Sequence, residues 1–470
     1  MNRHLVSLYR HMPTPAKNLF ATVRGVQLRR MRYGPETDDL VEAALERDQW
    51  SGKQWQPYRE ERLASMLERA AKHVPYYRDH WDERRRAGDR AAVDVLENWP
   101  ILEKETLRKN PHAFLADDSD PRTLYHIQTS GTTGTPIQLW WSPRMMREHY
   151  ALHEARARRW YGVTRHSRYA MIGGQLVVPS EKTQPPFWVH NYAMHQLYMS
   201  SYHLSPRYIP LYVTATRQHE AEYILAYTSS VYAIARYILQ AGIEPPKLKA
   251  IITNAEPIYD FQRATLRQAF GCPVYETYGQ TETVAFGSEC SEGNLHLWPE
   301  VGWIELMDGD RAVEAGSVGD IVATGLLNEA MPLIRYRLGD RASFKADQTS
   351  TCEHRLPLWG QIEGRSDDVL FTRDGRSIGR LDPIFKADLP VKEVQIIQKS
   401  LDSILIKYVP DTGFAPEHEG YITEQVIKRM GEIQVVFEAV ESFPRTKNGK
   451  FRAVINEISA DELAQIKSEP

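Results

Sequence analysis

Between residues 137 and 345, short runs rich in β-branched and aromatic residues alternate with longer segments of helical periodicity, and this alternation constrains the fold most. Tyr169-Ala170-Met171-Ile172 and Leu248-Lys249-Ala250-Ile251-Ile252-Thr253 are β-prone, whereas Tyr259 to Phe270 carries a helical pattern. Strands separated by helices pair side by side and need cover on both faces, which predicts α/β layers. Ahead of this block, residues 36–125 are helical and highly charged. Within Glu60 to Ala71, Leu63, Met66, Leu67 and Ala70 share one face, so this part reads as scaffold. Past Gly364 the texture changes to short strands and a helix, as in Val394–Gln398, Ser403–Val409 and Glu419–Gly431. The expected division is a large α/β domain over 1–364 and a small α+β domain over 365–470.

Charge narrows the function classes. With 58 basic against 61 acidic residues the net charge is -3, which argues against a nucleic-acid binder and toward small-molecule chemistry. Three cysteines, Cys272, Cys290 and Cys352, are too few for a disulfide framework. No long apolar window and no secretory leader pattern is present, so a cytoplasmic location is expected. The stretch 1–34 is the one local imbalance: Arg3, Arg10, Lys17, Arg24, Arg29, Arg30 and Arg32 stand among Leu5, Leu8, Leu19, Phe20, Val23, Val26 and Leu28 with no acidic residue. Such a segment suits an anionic membrane surface. The favoured reading is that Pro13 and Pro15 break it into two short helices that pack on the body with their arginines solvated.

Thr129-Ser130-Gly131-Thr132-Thr133-Gly134-Thr135-Pro136 lies between two β-prone runs, Leu124–Ile127 and Ile137–Trp141. Its glycines let backbone approach a ligand, and its N–H and hydroxyl groups suit phosphate oxygens; a solvated connector has the same composition. Asn254-Ala255-Glu256-Pro257 follows a strand and precedes a helix, where open α/β sheets bind ligands. Tyr275-Glu276-Thr277-Tyr278-Gly279-Gln280-Thr281-Glu282 offers a stacking aromatic, a hydroxyl and a carboxylate for a divalent cation. Arg335-Tyr336-Arg337-Leu338-Gly339-Asp340 reads as a strand closed by a turn, and Asp340 as a cap or as an acceptor for ribose hydroxyls. Pro444 to Arg452 reads as a basic hairpin turning at Asn448-Gly449.

These motifs, with Gly364-Arg365-Ser366-Asp367-Asp368, stand in one order over more than 300 residues. The succession resembles the adenylate-forming acyl-CoA synthetase superfamily, and within it the phenylacetate-CoA ligase branch with its relatives from capsular polysaccharide gene clusters. The resemblance implies a large domain, a small swinging domain and two half-reactions, adenylation of a carboxylic acid by ATP with Mg²⁺ and transfer of the acyl group to coenzyme A. It also implies residue roles. Thr129, Ser130, Gly131, Thr132, Thr133 and Gly134 would hold the β- and γ-phosphates. Asn254, Ala255, Glu256, Pro257, Tyr278 and Gly279 would surround the adenine. Thr281 would touch the α-phosphate and Glu282 would hold Mg²⁺. Asp340 would bind the ribose, with Arg365 beside it; Asp367 would be the hinge and Lys450 the catalytic lysine. Thr135 stands where relatives often carry lysine, which leaves the loop with less positive charge.

The acid is expected to be aromatic, because Phe187 to His203 is rich in rings; packing alone would explain the same composition. Gly375 to Asp382 departs from the usual text of the branch, which keeps an amine or other acceptor open beside coenzyme A, as well as a low-turnover nucleotide-binding protein of a polysaccharide assembly or membrane surface. Finally, Cys290-x5-His296 and Cys352-x-His354 supply two thiols and two imidazoles, a set that suits tetrahedral zinc and equally suits buried thiols beside surface histidines.

Overall fold

The computed structural model of the chain describes residues 9, 12–129, 137–174, 177–179, 182–314, 316–348, 352–365, 370–373, 377–378, 389–444, 452, 454–459 and 462. An eight-stranded sheet carries the expected alternation. Its order is Leu295–Leu297, Phe286–Glu289, Val274–Gly279, Ala250–Asn254, Tyr223–Tyr227, Tyr169–Gly173, Gln196–Ser200 and Trp188–Asn191. The strands from Val274–Gly279 to Gln196–Ser200 run parallel, and antiparallel strands extend both ends. Ala250, Ile251, Ile252 and Thr253 are all buried, a run that only cover on both faces can satisfy. Helices Ile209–Gln218, Thr228–Ala241 and Asp260–Phe270 cover one face through Tyr212, Val231, Ile234 and Leu266. Tyr161, Tyr169, Tyr223 and Ile252 cluster on the other.

A second, antiparallel sheet of five strands runs in the order Arg311–Ala312, Gly302–Asp308, Gly319–Gly325, Tyr336–Phe344 and Trp359–Arg365. It shares a core with helices Thr37–Arg47, Gly52–His73 and Pro75–Arg86, where Leu63, Met66, Leu67 and Ala70 all point inward as their spacing predicts. At the edge of this core Arg156 is fully buried between two carboxylates, Asp48 at 2.7 Å and Glu300 at 2.8 and 2.9 Å. Burial alone would raise the Glu300 carboxyl, but Arg156 and Arg47 hold it down to about 2.

Residues 370–456 build a core of their own from Leu370, Ile396, Ile404, Ile406, Ile422 and Val426. Its sheet, ordered Gln434–Ala439, Ser403–Pro410, Val391–Ser400 and Val454–Asn456, packs with helix Pro416–Met430 in the expected α+β arrangement. Arg236 of helix Thr228–Ala241 forms an ion pair with Asp411, which follows strand Ser403–Pro410.

Tyr9 is helical, and Pro13 is the N-cap and Pro15 lies in the first turn of a helix, Thr14–Arg32, where a proline loses no hydrogen bond, so the prolines stand between helical segments. That helix lies against strand Trp188–Asn191 so closely that a Cβ on Gly25 would meet the Asn191 side chain at 2.0 Å. One local expectation is corrected: Arg335 to Asp340 does not end a strand. It opens the nine-residue strand Tyr336–Phe344, in which the register shifts opposite Asp320 and Val322 and Gly339 takes φ +81°. A bulge at a glycine lets the strand continue while re-aiming Asp340. Among the described residues, no helix is long and apolar enough to cross a membrane.

Candidate active site

A cavity of about 2140 Å³ opens at the carboxyl ends of the parallel strands. Thr129, Asn254, Ala255, Glu256, Pro257, Tyr278, Gly279, Thr281, Glu282 and Asp340 all line it, so motifs more than 200 residues apart converge on one space. Ser130, Gly131, Thr132, Thr133, Gly134, Asp367 and Lys450 lie outside the described residues. Strands Tyr125–Gln128 and Gln138–Trp141 form the hairpin that flanks the Ser/Thr/Gly loop. Thr129 closes its base: its N–H donates to the Ile137 carbonyl at 3.0 Å, and its Oγ1 accepts from the Ile137 N–H at 2.9 Å.

Local chemistry fixes each wall. Ala255 turns the chain out of strand Ala250–Asn254 with φ +63°. Glu256 then reaches the start of helix Thr228–Ala241, where its carboxylate accepts from the Ser229 N–H at 2.7 Å and the Ser229 hydroxyl at 3.1 Å. A negative charge at a helix N-terminus is stabilised there, so Glu256 braces the loop. Gly279 faces Phe286 across the strand pair, and a Cβ would come within 2.1 Å of that ring. The glycine therefore lets the hairpin close behind Tyr278.

Three carboxylate contacts set the electrostatics. The Tyr278 hydroxyl donates to Asp340 Oδ2 at 2.7 Å. The Tyr336 hydroxyl donates to Glu282 Oε1 at 3.0 Å, and Lys104 Nζ stands 3.6 Å from the same oxygen. Burial, then the charge of Asp340, pushes the Tyr278 hydroxyl far above its ordinary range; burial, then Glu282, does the same to Tyr336. Both phenols thus stay protonated donors. Arg365 pairs through its backbone with Asp340 in neighbouring strands, which puts it next to that carboxylate in register.

Lys104 and Arg108 are the cavity residues the motifs did not reveal. They sit one turn apart on helix Lys104–Lys109, inside the segment that reads as scaffold. The spacing of two cations across a short helix was the available signal. Helix Thr14–Arg32 also lines the cavity, with Arg24, Leu28, Met31 and Arg32. The ring-rich stretch behaves differently from expectation: Phe187 is fully buried and stacks on His203, Tyr192 is exposed, and only Ser201 and Tyr202 of that stretch reach the cavity. Beside Tyr202, its aromatic lining includes Tyr227, Tyr232, Tyr237, Tyr259 and Phe261 from outside the stretch.

Away from the cavity, Cys290, His296 and Cys352 bring one donor atom each to within 4.8 Å of one another. His354 does not join that trio. Its ring stacks flat on Trp160, 3.9 Å between centroids and 7° from parallel.

Comparison with known proteins agrees with this geometry. Residues 370–457 match the family described as the CapK C-terminal domain. Protein CapK of Staphylococcus aureus is 24% identical over 457 residues, 96% of this chain and 99% of that protein. A phenylacetate-coenzyme A ligase of Thermus thermophilus is 28% identical over 359 residues, 73% of this chain and 75% of that enzyme. These relatives make the chain similar to adenylate-forming ligases. The similarity is to CapK along nearly the whole chain and to phenylacetate-coenzyme A ligases along about three quarters of it. A solved structure of 2-hydroxyisobutyryl-CoA ligase in the postadenylation state shares the fold of this chain, with a TM-score of 0.68, 19% identity and coverage of 90% of this chain and 94% of that one.

Proposed function

We propose that this ligase activates an aromatic carboxylic acid with ATP and transfers the acyl group to coenzyme A. The observation that carries the reading is the convergence of Thr129, Asn254–Pro257, Tyr278, Glu282 and Asp340 on one cavity, with Asp340 and Glu282 each oriented by a tyrosine hydroxyl. In the first half-reaction a carboxylate oxygen of the acid bonds to the α-phosphorus of ATP and pyrophosphate leaves. In the second, the coenzyme A thiol adds to the acyl carbon, loses its proton, and AMP leaves.

Both steps bring anions together, so the site must supply charge and position. Asp340, held by Tyr278, accepts from the ribose hydroxyls, with Arg365 beside it. Asn254, Ala255, Pro257 and Gly279 enclose the adenine, and Thr281 donates to the α-phosphate. Glu282 suits Mg²⁺: it is a buried carboxylate with one oxygen held by Tyr336 and Lys104, and Mg²⁺ commonly takes one or two carboxylates beside phosphate and water. When bound, Mg²⁺ neutralises phosphate charge. Lys104 and Arg108 supply further positive charge, which offsets the absence of lysine at Thr135. Lys450, brought in by the small domain from residue 365, bridges the carboxylate and the α-phosphate, and Asp367 is the hinge on which that domain turns. Tyr202, Tyr227 and Tyr237 support an aromatic acid, since they offer ring faces on the cavity wall.

The test is pyrophosphate release over a panel of acids, with thioester formation followed in the same reactions. Acid-dependent release with a thioester formed only when coenzyme A is present supports the proposal. Acid-dependent release with no thioester would reject the coenzyme A step in favour of an amine or other acceptor. Nucleotide binding without release for any acid would favour the low-turnover binding protein.

A further inference from the structure

We propose that Cys290, His296, Cys352 and His354 form a structural zinc site that ties the hairpin behind Tyr278 to the loop preceding strand Trp359–Arg365. Cys290 follows strand Phe286–Glu289 directly, and His296 lies in its partner strand Leu295–Leu297, so the hairpin brings these two donors close. Cys352 arrives from a separate loop, and its Sγ lies 3.3 Å from His296 Nε2. Cys290 and His296 are buried and Cys352 is half-buried, as the metal-facing wall of a closed site would be.

The imidazole of His296 is already oriented for a ligand. Its Nδ1 lies 3.1 Å from the Leu356 carbonyl, an arrangement that places the ring proton on Nδ1 and leaves the Nε2 lone pair facing Cys352. A backbone carbonyl on the far nitrogen is the usual partner of a zinc-bound histidine. His354, which stacks on Trp160 outside the trio in this structure, would complete the set by turning its ring toward them. Its Nδ1 is buried and without a hydrogen-bond partner among the described residues, which is costly unless something else satisfies it, and its ring lies edge to face with His296 at 5.9 Å. Two thiolates and two imidazoles favour zinc over the oxygen-seeking cations. Binding releases the two thiol protons.

The site has a mechanical consequence for the cavity. Trp359 follows the Cys352 loop and packs edge to face on Tyr278 at 5.9 Å, so fixing that loop to the hairpin also fixes the wall on which Tyr278 stands. The proposal does not depend on the acid or the acceptor.

The experiment is metal analysis of the full chain purified without chelator, followed by replacement with Co²⁺. One zinc per chain and an intense thiolate-to-cobalt absorption with tetrahedral ligand-field bands are expected. Cys352→Ser should abolish that absorption, and His354→Ala should weaken zinc binding at least tenfold. Metal-free protein that binds no zinc on titration, or a Cys290–Cys352 disulfide in its place by mass spectrometry, would overturn the site. Unchanged zinc affinity in His354→Ala would overturn the assignment of the fourth ligand. Because stoichiometry is read on the wild-type chain, a variant that misfolds leaves the test intact.

Discussion

The Tyr278 hydroxyl donates a 2.7 Å hydrogen bond to Asp340, joining the central sheet to the antiparallel one across 62 residues of sequence. A carboxylate held by a fixed donor is aimed, ready to accept from a sugar diol. Tyr278→Phe removes the donor without changing the ring, and a bond of this kind contributes about 0.5–1.5 kcal/mol. The expected result is a KM for ATP raised about 3- to 10-fold, since about 1.4 kcal/mol corresponds to tenfold. Asp340→Ala should raise it further. Steady-state kinetics with ATP varied checks both, and unchanged KM in both variants would contradict the ribose role.

Lys104 stands 3.6 Å from Glu282 and donates to the Leu338 carbonyl at 3.2 Å. Replacing it with methionine keeps the aliphatic stem and deletes the charge. Adenylation should slow by about 10- to 100-fold, the range for losing a charged hydrogen-bond donor worth about 1.5–3 kcal/mol. Single-turnover pyrophosphate release measures this step. A rate equal to wild type would remove Lys104 from the machinery.

Much of the site was legible because its motifs sit where strands end. Asn254–Pro257 leaves strand Ala250–Asn254, Thr129 closes a hairpin, and Tyr278 lies near the end of strand Val274–Gly279, all as their order implies. Partners from other sheets were not legible. Nothing local to Tyr336 indicates that its hydroxyl meets Glu282, because the two are brought together by packing of separate strands. Helix Lys104–Lys109 is too short to show periodicity, so its cations read as surface charge. The turn expected at Leu338-Gly339-Asp340 failed for a related reason: a glycine with positive φ serves a bulge as well as a turn, and only the facing strand distinguishes them. Composition misled at Phe187 to His203, where rings that suit a pocket suit a core equally.

Arg156 is buried between Asp48 and Glu300 and has no exposed side-chain surface. Its replacement by leucine would leave Asp48 without a charged partner and Glu300 with Arg47 alone, and breaking a buried pair costs about 3–5 kcal/mol in comparable networks. A lower unfolding temperature and poor soluble yield are expected. Wild-type thermal stability in Arg156→Leu would show that the carboxylates find other partners.

Acid should destabilise the fold in two stages. Burial holds His149 down to about 3 and lowers His153 well below the ordinary 6.5, so both are neutral in the folded chain. The unfolded chain therefore binds more protons below pH 6.5, and stability falls as pH drops toward about 3, by up to about 1.4 kcal/mol per pH unit for each histidine. Glu300 is depressed to about 2 from 4.5, so its contribution is full above 4.5 and is lost as pH falls through that interval. Unfolding temperatures measured from about pH 7.5 to about pH 4 should decline from near 6.5 downward and more steeply below 4.5. A flat profile would mean that these side chains reach solvent.

The most direct test of the central claim is acid-dependent exchange of labelled pyrophosphate into ATP, in the wild type and in Lys450→Ala. The account predicts exchange only when a suitable acid is present, stimulated by Mg²⁺ and lost in the variant. Exchange independent of any acid, or retained at the wild-type rate without Lys450, would contradict it.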